Sequence, residues 1–193
     1  MIQEDLLVRI ADTMHKMKVP YMITGGIATI LYGRPRLTHH FDLVLEMGPQ
    51  HIPILKDVFG DEFYVDEKAI RKVLANHSMF NLIHFDSGIK VDFWLLQDDE
   101  YDRKRFGRRQ KHKVSGREIT FSSPEDMILK KLSWFKESEI DKHLDDALGI
   151  LEVQQNLDLP YLKKWAEKLE IQGLFQQLRE ELSKRKARTD RQE

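Results

Sequence analysis

Apolar residues recur in the first segment at helical spacing: Leu6, Ile10 and Met14 share one face of a predicted helix over 5–17, and Pro20 closes it off from the next element. YMIT at 21–24 reads as a short buried strand halted by Gly25-Gly26, and IATILYG as a brief helix ending at Gly33. FDLVLEM at 41–47 has strand character and stops at Gly48-Pro49. IPILKDVFG predicts a helix with a glycine stop, and a mixed stretch containing FYVD and KAIRKVLA follows it. MFNLIHFD (79–86) and IKVDFWLL (89–96) are strand-like runs separated by Ser87-Gly88, a two-residue hairpin signal. Gly116 introduces one more strand, REITF.

After Phe121 the period becomes helical throughout. Ser123-Pro124-Glu125-Asp126 is a strong helix start, with a serine cap, proline in the first turn and acids at the positive end of the dipole. Ile128, Leu132 and Phe135 form one apolar stripe, Leu144, Ala147, Leu148 and Leu151 a second, and Leu162, Trp165, Ala166 and Leu169 a third. Phe175, Leu178 and Leu182 predict a last helix. The pattern gives an α/β part over 1–121, a helical subdomain over 122–185 packed on it, and a polar tail over 186–193 expected to fray. Trp94, Trp134 and Trp165 lie in apolar stripes and read as core.

Composition narrows the class. With 193 residues, 33% charged and 41% hydrophobic, the chain has enough apolar content to fold and no run near the roughly 20 residues that span a bilayer. The absence of cysteine removes disulfides, thiolate metal sites and cysteine nucleophiles. MIQEDLLVRI carries acids where a secretory signal needs basic residues before an apolar core, so the expected location is cytoplasmic, with no membrane partner. A net charge of -1 argues against a DNA-coating protein but leaves room for a local patch. Such a run exists: Arg103, Lys104, Arg105, Arg108, Arg109, Lys111, Lys113 and Arg117, with Tyr101 and Phe106 available to stack. It reads either as an RNA or nucleotide contact or as a solvated charged surface.

The candidate chemistry lies in Thr24-Gly25-Gly26 and in Arg34-Pro35-Arg36-Leu37-Thr38-His39-His40-Phe41-Asp42. A glycine pair between strand and helix lets backbone approach a phosphate, although such pairs are more often plain turns. On a strand, positions 40 and 42 point to one face. Asp92, a carboxylate inside an apolar run, needs a metal, a cation or a site open to water.

Together these signals resemble the nucleotidyltransferase superfamily with the DNA polymerase β-like fold, closest to its small bacterial minimal nucleotidyltransferases and AbiEii-like toxins. The pattern GGxAxxxYGxxRxTxDxD of that group is matched by Gly25, Gly26, Ala28, Tyr32, Gly33, Arg36, Thr38 and Asp42. Ser123-Pro124-Glu125-Asp126, Lys131-Leu132, Asp145-Asp146, Leu157-Asp158, Tyr161-Leu162 and Trp165-Ala166 extend the likeness through the helical half. The resemblance implies a mixed sheet flanked by helices with a C-terminal helical subdomain. It also implies transfer of a nucleoside monophosphate from a nucleoside triphosphate to a hydroxyl on RNA, protein or a small molecule. Three carboxylates of the superfamily hold two Mg²⁺ ions. Here Asp42 and Asp92 take two of those positions and His40 the first, where an imidazole suits Mn²⁺ or softer ions better than Mg²⁺.

The same resemblance makes Gly25 and Gly26 a phosphate cradle and adds Arg36, Thr38 and Lys131 to the nucleotide site. From the residues alone, Arg36 is equally an ordinary ion pair, and Thr38 equally a turn residue. Lys131 sits at the edge of an apolar stripe, where it either snorkels or reaches a phosphate or carboxylate such as Asp145 or Asp146. The competing expectation is a catalytically poor nucleotide- or RNA-binding module, such as one component of a toxin–antitoxin pair with an antitoxin-type protein partner.

Overall fold

The computed structural model describes residues 2–189 of the chain. Its helices are α1 (Ile2–Lys16), α2 (Gly25–Tyr32), α3 (Ile52–Phe59), α4 (Glu67–Ala75), α5 (Glu100–Gly107), α6 (Pro124–Ser138), α7 (Asp141–Val153), α8 (Leu159–Lys168) and α9 (Gln172–Thr189). Its strands are β1 (Tyr21–Thr24), β2 (His40–Leu45), β3 (Phe63–Tyr64), β4 (Met79–His84), β5 (Lys90–Leu95), β6 (Gln110–Val114) and β7 (Arg117–Phe121). They form one seven-stranded mixed sheet in the order β3-β4-β5-β2-β1-β7-β6. The β2–β5 and β1–β7 pairs are parallel and the others antiparallel. None of the described helices is long and apolar enough to cross a membrane.

Contacts divide the described chain into two compact units: 2–27 with 37–122, and 28–36 with 123–189. The first carries the whole sheet. On one sheet face the rings of Phe80 and Phe93, cross-strand partners, stack 4.9 Å apart, a contact worth about 1 kcal/mol beyond its area. Phe59 of α3 meets Phe63 edge-on at 5.3 Å, and Phe63 meets His84 at 5.0 Å, which ties α3 to the outer strands. On the opposite face Phe106 of α5 covers Met22 and Val44, with Leu96 beside them.

The two hairpins close differently. Ser115 (φ 47°) and Gly116 (φ 76°) are both left-handed between the paired Val114 and Arg117, the two-residue turn that suits sheet twist. The expected two-residue turn at Ser87-Gly88 is longer. Its last strand pair is Ile83 with Lys90, His84 N–H donates to Ile89 O at 2.9 Å, and Gly88 takes the left-handed conformation (φ 65°) inside the loop.

The second unit is helical. Ser123 caps α6 by accepting from Asp126 N–H at 3.2 Å, and its hydroxyl donates to the Asp126 carboxylate at 2.7 Å. Tyr161 of α8 donates to the same carboxylate at 2.7 Å, and Glu125 accepts from Asp158 N–H at 2.9 Å. These motif residues therefore bind α6 to the start of α8.

Residues 28–36 depart from the sequence boundary at 121, because they pack with the helices. A Cβ on Gly33 would lie 3.1 Å from Ile150 N, Gln154 donates to Tyr32 O at 2.7 Å, and Arg34 Nε donates to Glu152 at 2.7 Å. Residues 186–189 of the expected tail continue α9, and 190–193 lie outside the described residues. Trp165 is buried and Trp134 half-buried, but Trp94 is 43% exposed. Its face of β5 also carries Lys90 and Asp92, so it is not an apolar stripe, and Trp94 stays partly open to solvent there.

Candidate functional site

Register builds the site. Thr24, Asp42, Asp92 and Asn81 are successive partners across β1, β2, β5 and β4, so all four project from the same sheet face. Two residues along the same face, Met22 and Val44 lie under α5. Two residues the other way, His40 pairs with Lys90. The carboxylates therefore stand where the covered part of the face gives way to the open strand ends. Asp42 is 8% exposed and Asp92 7%. Burial at that level is costly for a carboxylate without a partner.

Both have one. His40 Nε2 lies 3.3 Å from Asp42 Oδ2, and Lys90 Nζ lies 2.9 Å from Asp92 Oδ1. The second contact is an ion pair without hydrogen-bond angles, since Asp92 Oδ1 is buried and accepts no hydrogen bond. His40 and Lys90 are themselves about half exposed. The two strands thus begin alike, with a nitrogen side chain two residues ahead of an aspartate.

Gly25 is fixed by this arrangement. It is left-handed (φ 59°) at the junction of β1 and α2, and a Cβ there would fall 1.9 Å from Asp42 Oδ2. Only glycine leaves room for the carboxylate. The space that the sequence reading gave to a phosphate is taken, at Gly25, by Asp42. Gly26 is buried in the first turn of α2. Thr38 is buried, and its hydroxyl donates to His40 O at 3.3 Å, holding the start of β2.

A magnesium centre needs oxygen ligands that converge on one point. Here each aspartate already faces a nitrogen, and among the described residues no three His, Asp or Glu side chains come together as ligands. The residues present do not fit the expected two-magnesium arrangement.

Arg36 and Lys131 belong to the helical unit and meet at a single carboxylate. Arg36 grips Asp146 with two hydrogen bonds of 2.8 and 2.9 Å, and Lys131 Nζ lies 2.7 Å from Asp146 Oδ2. Asp146 rather than Asp145 is the partner, because Asp146 faces inward from α7 while Asp145 is exposed. Burial alone would raise the Asp146 carboxyl. The hydrogen bonds from Lys131 and Arg36 outweigh it and leave the carboxyl below its ordinary value. Beside them, burial and then the Lys131 charge lower the His143 imidazole.

The basic run is largely paired within its own unit. Arg105 is buried against Asp102 at 2.6 Å, Arg103 binds Asp98, Lys111 binds Glu118 at 2.6 Å, and Arg117 lies 3.7 Å from Asp12. Arg109 donates to Phe106 O and covers its ring at 4.3 Å. Lys90 is the site residue that sequence reasoning missed. Its signal was present in the spacing: Lys90-Val91-Asp92 repeats His40-Phe41-Asp42.

No family model matches the chain, and no curated protein matches it. Solved structures do. A nucleotidyltransferase-like antigenic protein from Paracoccidioides brasiliensis superposes with a TM-score of 0.54 at 16% identity, over 77% of this chain and 73% of its own. The lincosamide antibiotic adenylyltransferase LnuA, bound to lincomycin, gives 0.50 at 16% identity over 75% of this chain and 94% of its own. ANT(2")-Ia in complex with adenylyl-2"-tobramycin also gives 0.50 at 16%, over 96% and 99%. The chain has the nucleotidyltransferase fold. Identity this low carries the architecture only, so the activity is argued from the site.

Proposed function

We propose that the protein transfers a nucleoside monophosphate from a nucleoside triphosphate to a hydroxyl, with the reacting groups at the Asp42–Asp92 end of the sheet. The observation that carries this reading is the register: Asp42 and Asp92 are direct partners on parallel strands of a nucleotidyltransferase fold, with Gly25 kept bare beside them. In the reaction the acceptor oxygen bonds to the α-phosphorus, the bond from that phosphorus to the bridging oxygen breaks, and pyrophosphate leaves. The acceptor proton passes to a carboxylate, for which Asp42 and Asp92 are the groups at hand. Among RNA, protein and small-molecule acceptors, the antibiotic-bound neighbours favour a small-molecule hydroxyl.

Incubation with α-labelled triphosphates and pools of small hydroxyl compounds, total RNA or protein tests the reading. Label should appear on one acceptor and vanish in Asp92→Asn. Transfer that survives Asp92→Asn rules out this site.

A second reading rests on the nitrogen partners of both aspartates, His40 and Lys90. It makes the chain a nucleotide- or RNA-binding module of low transfer activity, such as a toxin–antitoxin component. Binding without transfer under every divalent ion tried is its expected signature.

A further inference from the structure

The end of the site face carries two nitrogen side chains rather than further acids: His40 and Lys90, direct partners on β2 and β5. Of the two, Lys90 carries the ammonium and His40 an imidazole. Its ammonium stands 2.9 Å from the buried Asp92 oxygen that accepts no hydrogen bond, while 43% of its side chain stays exposed. An ordinary strand-surface ion pair between two exposed groups would contribute under about 1 kcal/mol and do nothing else. This pair differs, because its carboxylate is buried in a row of polar partners and its ammonium is the nearest positive charge to it. An ammonium has three donors, of which the Asp92 contact engages at most one direction. With 43% of the side chain exposed, the ammonium remains accessible to a ligand.

We propose that Lys90 is the resident cation of this site. It compensates Asp92 in place of a divalent ion, and it is the group that meets the phosphate oxygens of a bound nucleotide. This rests on the nucleotide reading above and adds to it the source of the positive charge. Two consequences distinguish the arrangement from a metal centre. Divalent ions bind weakly while Lys90 is present, and nucleotide is retained when divalent ions are removed.

The experiment has two arms. In the first, Mn²⁺ is titrated without nucleotide into the parent protein, Lys90→Met and Lys90→Arg, and free ion is read by electron paramagnetic resonance. Lys90→Met should bind Mn²⁺ about tenfold more tightly or better, the range in which metal sites respond to a changed neighbour, and Lys90→Arg should match the parent. Equal Mn²⁺ affinity in the parent and Lys90→Met overturns the inference. In the second arm, each ribonucleoside triphosphate is titrated by calorimetry with EDTA and with Mg²⁺. The parent should lose less than about threefold in affinity under EDTA, and Lys90→Met about tenfold or more. Parent binding that disappears in EDTA and is indifferent to Lys90→Met also overturns it. If the parent binds no nucleotide in either condition, the nucleotide reading fails, and the Mn²⁺ arm alone decides whether Lys90 is the resident cation. Circular dichroism controls for folding, with Lys90→Gln as the substitute should Lys90→Met misfold.

Discussion

At Asp42 three neighbours act on one carboxylate: His40 opposite its Oδ2, Gly25 against its side chain, and Asp92 across the strand pair. His40→Asp would put a third carboxylate in the row, and it should raise Mg²⁺ affinity by about tenfold or more, with faster label transfer and an unchanged circular dichroism spectrum. A variant that binds Mg²⁺ no better than the parent refutes the metal-poor explanation of His40. Gly25→Ala tests the other neighbour. A left-handed alanine costs about 1 kcal/mol, and its Cβ must displace Asp42, so a loss of about 2–4 kcal/mol in urea unfolding is expected. An unaltered midpoint would mean that the junction shifts freely. Asp92 stood out in the sequence because a carboxylate inside an apolar run is conspicuous, and His40 and Asp42 because alternate strand positions share a face. Lys90 did not stand out, since a lysine at the start of a strand is usually solvated; its spacing before Asp92 repeats that of His40 before Asp42, and the register then sets the two nitrogen side chains side by side.

Among the elements, Asp146 of α7 takes both Lys131 of α6 and Arg36, the residue four ahead of β2. Asp146→Asn would remove the carboxylate charge that Arg36 and buried Lys131 share, and should cost about 3 kcal/mol by denaturation. The pH response has a definite sign. The folded Asp146 carboxyl lies below its ordinary value, so the unfolded chain binds more protons, and the stabilisation is present above about pH 4 and lost as pH falls through the folded value. Asp146→Asn should flatten that acid slope; a slope identical to the parent's would place it elsewhere. Ser123→Ala should cost about 1 kcal/mol by removing the α6 cap and the hydroxyl bond to Asp126. Helix positions were readable from period and cap. The Arg36–Asp146–Lys131 cluster was not, because its members are far apart in sequence and each alone suits a surface pair equally well. In the basic run, local acids at Asp98, Asp102 and Glu118 pair with Arg103, Arg105 and Lys111 once the chain folds.

For the molecule as a whole, the sheet and the helical half were both legible, and the division between them was not. Hydrophobic period reports which face of an element is buried, but not which partner buries it, so 28–36 read as part of the α/β segment. A fragment of 123–193 would lack Tyr32, Arg34 and Arg36, and with them the partners of Gln154, Glu152 and Asp146. It should show markedly reduced helix by circular dichroism, and a peptide of residues 28–36 should raise it; a fully helical, cooperatively melting fragment would count against that packing.

The pairing of Asp42 with Asp92 also sets which length changes the gene tolerates. Because alternate residues face opposite ways, removing one codon within β5 would swing Asp92 toward the side where Phe80 and Phe93 stack, and would turn Phe93 outward in its place. Removing one from the loop at 85–88 leaves that alternation intact, because the stacked rings re-establish the alignment downstream. Natural insertions and deletions should therefore collect in this loop and be absent from 90–95, so that an aromatic pair on the far side of the sheet acts as the reading-frame guard of a site it never touches.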